Sequence, residues 1–260
     1  MQIAFAVSGF AVGFIVGLTG VGGGSLMTPL LMLVFGVRPL TAVGTDLIFA
    51  AVTKSGGIWV HSRRGTVEWP IVGLLAAGSL PAAALTMWGM SRIGVPRTAL
   101  DSITSTTLGI ALILTAVSLV FRTRVLAWVD AQRGRPGAND DARRKIATVG
   151  VGLALGILVS VSSIGAGALG TMALFFLYPR LPAVRIVGTD IAHAVPLTLV
   201  AGLFHYSYFQ SIDGTLLTNL LVGSLPGIWL GSHLSARISD RTLRPLLAGM
   251  LMLIGGKLVF

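Results

Sequence analysis

The chain contains no cysteine, which excludes a disulfide framework and any thiolate metal site. Charge is scarce: Asp, Glu, Lys and Arg make up 11% of the 260 residues. A soluble globular domain carries about 25%, and less than half of that does not cover a water-exposed surface. The four histidines are scattered. There is no His-Glu-x-x-His pair, no Gly-x-Ser-x-Gly elbow and no Gly-Lys-Ser/Thr phosphate loop. No enzyme constellation, cofactor motif or metal cluster is expected. The opening Met1-Gln2-Ile3 puts no basic group ahead of the first apolar run, so a cleaved signal peptide is not expected either.

What the chain does have is apolar residues. It is 54% hydrophobic, with a mean hydropathy of +0.87. Several runs of eighteen or more residues lack charge, which is the signature of transmembrane helices. The expected class is an all-α integral membrane protein with the lipid bilayer as its main partner. The formal charge of +10 does not indicate nucleic acid. Lys and Arg lie in short loops between apolar spans, where they encode orientation.

The organising stretch is 18–46. Gly20-Val21-Gly22-Gly23-Gly24 sits inside an uncharged run from residue 3 to residue 36. One straight helix of that length would reach about 50 Å, against a hydrocarbon core of about 30 Å. The run must bend, and glycine, lacking a Cβ, permits it at 20–24. A helical hairpin with limbs of about 3–20 and 25–36 is predicted, the second too short to span comfortably.

The plan recurs. Ile164-Gly165-Ala166-Gly167-Ala168 interrupts the apolar run that follows the only long polar stretch, 122–145. Val-Gly-Thr-Asp occurs at 43–46 and again at 187–190, 144 residues later. His61 and His205 each follow the Asp by 15 residues. Gly-Ser-Leu-Pro occurs at 78–81 and 223–226, a spacing of 145. Recurrence in register marks a duplication: 1–121 a first transmembrane repeat, 122–145 a basic linker, 146–260 a second repeat.

Each repeat is read as a glycine-broken hairpin plus three transmembrane helices. If each hairpin enters and leaves on one side, the Lys and Arg gather on the linker side. If each glycine run merely kinks a full span, they divide almost evenly. The positive-inside rule prefers the first plan. The linker is then cytoplasmic and both termini periplasmic. Each half crosses an odd number of times, so the two are inverted repeats. Inverted repeats with broken helices are a transporter architecture.

Candidate site residues follow from the breaks. Where a helix restarts, unpaired N–H groups and the helix dipole favour an anion. The backbone at Gly22, Gly23, Gly24, Gly165 and Gly167, with hydroxyls of Thr19, Ser25, Thr45, Ser163 and Thr189, is the expected substrate site. Thr45 and Thr189 enter on the expectation that they open helices after Gly44 and Gly188. Asp46 and Asp190 are carboxylates inside apolar spans, where charge is costly and usually functional. Two roles stand open for them: proton coupling, or capping a helix N-terminus. His193, three residues after Asp190, is placed to hydrogen-bond it. Lys54 is either a substrate counter-charge or a snorkelling surface residue. His61 and His205 are expected at the interfaces, and Trp69 and Trp88 as interfacial anchors.

Taken together, Gly20-Val21-Gly22-Gly23-Gly24-Ser25 followed by Pro29, Ala42-Val43-Gly44-Thr45, and the weaker second copy Gly165-Ala166-Gly167 with Val187-Gly188-Thr189 resemble the sulfite exporter TauE/SafE family, also called the toluene sulfonate uptake permeases. The resemblance covers nearly the whole chain. It implies an inner-membrane permease, often an exporter, for small sulfur-containing anions such as sulfite, sulfonates or thiosulfate. The second copy departs from the first, with Ala166 and Ala168 where the first has Gly22 and Gly24, which implies an asymmetric site. A carrier or channel for another anion or small solute, and a non-transporting scaffold subunit of a membrane enzyme, are the competing readings. Homo-oligomerisation is left open.

Overall fold

The computed structural model describes residues 2–19, 24–92, 94, 96–132, 141–234 and 240–259. Gly20 to Gly23, the 133–140 part of the linker and Arg237 lie outside them, and the side-chain surroundings of Thr19 and Gly24 are likewise outside the description. Ten helices run in order: α1 (Gln2–Thr19), α2 (Gly24–Leu33), α3 (Pro39–Arg63), α4 (Trp69–Arg92), α5 (Arg97–Gln132), α6 (Asp141–Ser162), α7 (Ala168–Leu177), α8 (Ala183–Phe204), α9 (Gly214–Leu234) and α10 (Asp240–Val259). A π-helical turn, His205–Phe209, prolongs α8. Among the described residues there is no strand.

Five of these elements are long and apolar enough to cross a membrane: α4, α5, α6, α8 with its π-turn, and α9. By contrast α2 and α7 have ten residues each, about 15 Å, half of the hydrocarbon core. They are short second limbs, as the glycine runs predict. The linker is shorter than expected. Helix α5 continues through Arg122 to Gln132, and α6 already begins at Asp141, so most of the basic stretch is helical. Trp69 and Trp88 are exposed near the two ends of α4, roughly 28 Å apart along the axis, as interfacial anchors require.

Glycine sets the helix packing. Gly78 of α4 faces the carbonyl of Val149, and Gly152 and Gly156 of α6 face the carbonyls of Leu75 and Ser79. The register advances together on both chains, so α4 and α6 run parallel. Likewise Gly9 and Gly13 of α1 face Leu220 and Ser224, while Gly223, Gly227 and Gly231 of α9 face Ala6, Phe10 and Phe14. These two helices are also parallel. Only a missing Cβ lets backbones approach so closely, the usual device between membrane helices. Between α3 and α8 the sense reverses. Ile48 packs on Gly202 and Ile191 packs on Gly57, so these two are antiparallel. An apolar cluster including Met27, Leu31, Phe49, Leu112, Leu220 and Leu251 joins α2, α3, α5, α9 and α10.

Helices at matching places in the two halves make matching contacts. The hydroxyl of Thr45 accepts from the backbone N–H of Asp213, at 3.2 Å. That of Thr189 accepts from the N–H of Glu68, at 3.0 Å. His61 pairs with Thr66 at 2.8 Å, and His205 with Ser211 at 3.0 Å. The spacing between the halves is 144 residues up to the histidines and 145 beyond them. The π-turn at 205–209 accounts for the difference, because a π-bulge is one extra residue carried inside a helix.

Candidate functional site

Helix α3 starts at Pro39, whose fixed φ suits a first helical position. Helix α8 starts at Ala183, after Pro182. Both begin well before their Val-Gly-Thr-Asp quartets. Thr45, Asp46, Thr189 and Asp190 are therefore inside helices and do not open them, which corrects the capping role expected for the two carboxylates. Gly44 and Gly188 are points of close approach. A Cβ on Gly44 would stand 2.7 Å from the carbonyl oxygen of Ser211, and one on Gly188 2.6 Å from that of Thr66. The Thr45 and Thr189 hydroxyls, expected to face an anion, are buried and hold the loops at Asp213 and Glu68. The Glu68 side chain also forms an ion pair with Arg185, at 2.5 Å.

Asp46 is fully buried. Its Oδ2 accepts from Thr28 Oγ1 at 2.6 Å and from Ser163 Oγ at 2.8 Å. Its Oδ1 has no hydrogen-bond partner among the described residues. Ser163 follows the last residue of α6 with φ of +60°, a conformation where glycine is the usual choice. Serine keeps that position with its hydroxyl on Asp46. The break continues through Gly165 and Gly167, at φ of +137° and +135°. Side chains rarely adopt such values, so here glycine is required by the turn itself.

Asp190 is buried and faces a cavity of about 250 Å³. Gly170 makes room for it, since a Cβ there would stand 2.0 Å from Asp190 Oδ1. Lys54 lines the same cavity and donates from Nζ to the carbonyl of Ala166, at 2.9 Å. It is half-buried and points into the interior, so it does not snorkel to a surface. Arg122, Ser118, Thr53 and Thr171 add polar groups, and Gly167 and Ala168 bring the start of α7 to the wall. Leu119, Phe175, Ile191 and Ile228 form apolar walls.

Three expected site residues thus meet at the cavity: Lys54, Asp190 and Gly167. Ser25, Asp46, Ser163, Gly165 and His193 do not line it. His193 turns to Ser79, its Nε2 lying 2.8 Å from the hydroxyl, while its Nδ1 has no partner among the described residues. The hydrogen bond expected between His193 and Asp190 is not formed. Ser79 comes from α4, which packs against α8 and brings its hydroxyl to the imidazole. His205 is fully buried, between Ser211 and the carbonyl of Ser160, and so is not interfacial.

Four cavity residues were not expected from the sequence, Thr53, Ser118, Arg122 and Thr171, and neither was Gly170, which makes room for Asp190. Ser118 and Thr171 are single hydroxyls in apolar runs, with no pattern to mark them. Arg122 is the first charge after an apolar run and reads as the start of a linker; only the continuation of α5 makes it a cavity wall. Gly170 carries no group at all, and its signal is a side chain from another helix. Changing Gly170 to alanine is expected to push the Asp190 carboxylate aside and to lower transport by up to about 100-fold. Uptake into proteoliposomes, read against the melting temperature of the same preparation, tests this.

The family described as "Sulfite exporter TauE/SafE" matches the chain over residues 5–258. The chain is 38% identical over 259 residues to the probable membrane transporter protein YjnA of Bacillus subtilis, covering 100% of both chains. It is 28% identical to the probable membrane transporter protein YdhB of the same organism, over 94% of this chain and 97% of that one. A relative in Methanocaldococcus jannaschii, the probable membrane transporter protein MJ0441, is 25% identical over 96% of this chain and 92% of its own. No solved structure matches.

Proposed function

The chain belongs to the sulfite exporter TauE/SafE family of membrane transporters, and from that premise we propose that it exports a small sulfur-containing anion, sulfite or an organosulfonate, by alternating access. The observation that carries this reading is the cavity between the halves, where Lys54, Arg122, three hydroxyls and the start of α7 converge. An anion there meets two cationic side chains and the positive end of a helix dipole. The apolar walls favour the organic members of the class, because a bare oxyanion leaves them in contact with a hydrated charge.

Asp190 stands in the same cavity, and an ionised carboxylate repels an anion. The anion therefore enters together with a proton on Asp190, which couples transport to the proton gradient. The inverted arrangement is supported by three packing senses. Antiparallel α3 and α8 occupy matching places in the two halves, and so do the parallel pairs α1 with α9 and α4 with α6. That is what a two-fold axis in the membrane plane requires. With the basic linker in the cytoplasm, both termini are periplasmic, the membrane is the inner one, and Arg122 places the cavity towards the cytoplasmic side.

The test is uptake of labelled sulfite, and of an aromatic sulfonate, into proteoliposomes with and without an imposed proton gradient. Saturable uptake that responds to the gradient is the expected result. Absence of saturable uptake of either anion by folded protein would sink the assignment. Saturable uptake indifferent to the gradient would remove the coupling role from Asp190.

A further inference from the structure

We infer that Asp46, Thr28, Ser163 and the C-terminal end of α6 form a binding site for one sodium ion, separate from the anion cavity. The site lies at the α6–α7 break and does not share the cavity wall. Its centre is a carboxylate with no exposure and one oxygen, Oδ1, without a partner among the described residues. A buried ionised carboxylate needs compensation. Lys54, which lines the anion cavity, bonds the Ala166 carbonyl. It does not hydrogen-bond Asp46.

The oxygens around Asp46 suit a cation. The hydroxyls of Thr28 and Ser163 donate to Oδ2, which leaves their lone pairs free to accept. Helix α6 ends at Ser162, next to the break. Two of its last carbonyls are used: Val159 accepts from the N–H of Ser163, at 2.8 Å, and Ser160 accepts from His205. The remaining end carbonyls and the negative end of the helix dipole are turned to the break. Broken backbone of this kind at membrane depth is tolerated where it lines a site.

The donor set also selects the ion. It holds oxygen only, which disfavours transition metals. It has one carboxylate, whereas calcium sites draw on several charged ligands, and among the described residues no group of three or more His, Cys, Asp or Glu exists. One negative charge among neutral oxygens balances one monovalent hard cation. Ser163 retains its positive φ because its hydroxyl is part of this set. The site's use in driving transport rests on the transport reading above; its existence does not.

The experiment is binding of ²²Na⁺ to the purified full chain in detergent, without anion substrate, at fixed pH in choline buffer. Saturable binding of about one ion per chain is expected. Asp46→Asn should abolish it, Ser163→Ala and Thr28→Val should each weaken it by tenfold or more, and Asp190→Asn should leave it within about twofold. Absence of saturable binding, or binding that survives Asp46→Asn, overturns the proposal. If Asp46→Asn does not fold, unchanged binding in both hydroxyl variants overturns it equally. Failure of anion uptake with sodium binding intact would count against the transport reading and not against this site.

Discussion

Gly78→Ala and Gly223→Ala are each expected to destabilise the protein by about 3 kcal/mol, at the upper end for inserting one methyl into a packed interior. A Cβ on Gly78 would lie 2.1 Å from the carbonyl oxygen of Val149, and one on Gly223 1.8 Å from that of Ala6. In both cases the obstacle is backbone in the middle of a helix, which no rotamer change can relieve. The helices must separate, and α4 with α6, or α1 with α9, would lose their contact along several turns. Membrane helices have no hydrophobic drive to re-form it, because lipid is as apolar as the facing side chains. Gly73 and Gly150 are on the same pair of helices, α4 and α6, with nothing within 4 Å of an added Cβ. Alanine there is expected to stabilise by about 0.5–1 kcal/mol, since glycine is the poorer helix former. Melting temperatures of the four variants in one detergent decide the matter. If Gly78→Ala melts with Gly73→Ala, the close packing of α4 on α6 is wrong.

The second large effect is on function. Lys54→Met is expected to lower anion transport by 100-fold or more while shifting the melting temperature only slightly. Methionine keeps the length and apolar character of the stem. What disappears is a cation that shares the cavity wall with Asp190. Losing the charged partner of a bound anion in a desolvated site costs about 2–5 kcal/mol of binding, about 30-fold to 5,000-fold in a binding constant. Asp190 then holds its proton throughout the cycle, so the residual uptake should lose its response to the gradient. Transport within threefold of wild type, still driven by the gradient, would show that Lys54 is structural. Arg122→Met isolates the second cation. It should weaken apparent anion affinity and leave gradient dependence unchanged, because Arg122 lines the cavity from α5 while the proton is carried by Asp190 on α8.

Several features were already decided in one dimension. The scarcity of charge determined a membrane protein. The excess length of the uncharged run 3–36 argued against one straight span, and two helices, Gln2–Thr19 and Gly24–Leu33, are described there. Val-Gly-Thr-Asp recurs after 144 residues and Gly-Ser-Leu-Pro after 145, and the glycine motifs identified the family. These are properties of composition, length and period, and a chain carries them without folding.

What only the tertiary structure decided is which groups meet. Asp46 finds Ser163 across 117 residues, and Lys54 finds Ala166 across 112. His193, three residues from Asp190, bonds instead to Ser79 across 114. Proximity along a helix allowed the first pairing, and helix packing selected the second. Helix ends were misjudged for a related reason. Pro39 and Pro182 start α3 and α8 upstream of the quartets, so Gly44 and Gly188 are contact points and not breaks. A glycine reads the same in sequence whether it bends its own chain or makes room for another. Gly167 bends, Gly170 makes room, and the difference lies in the position of Asp190, which comes from a different helix.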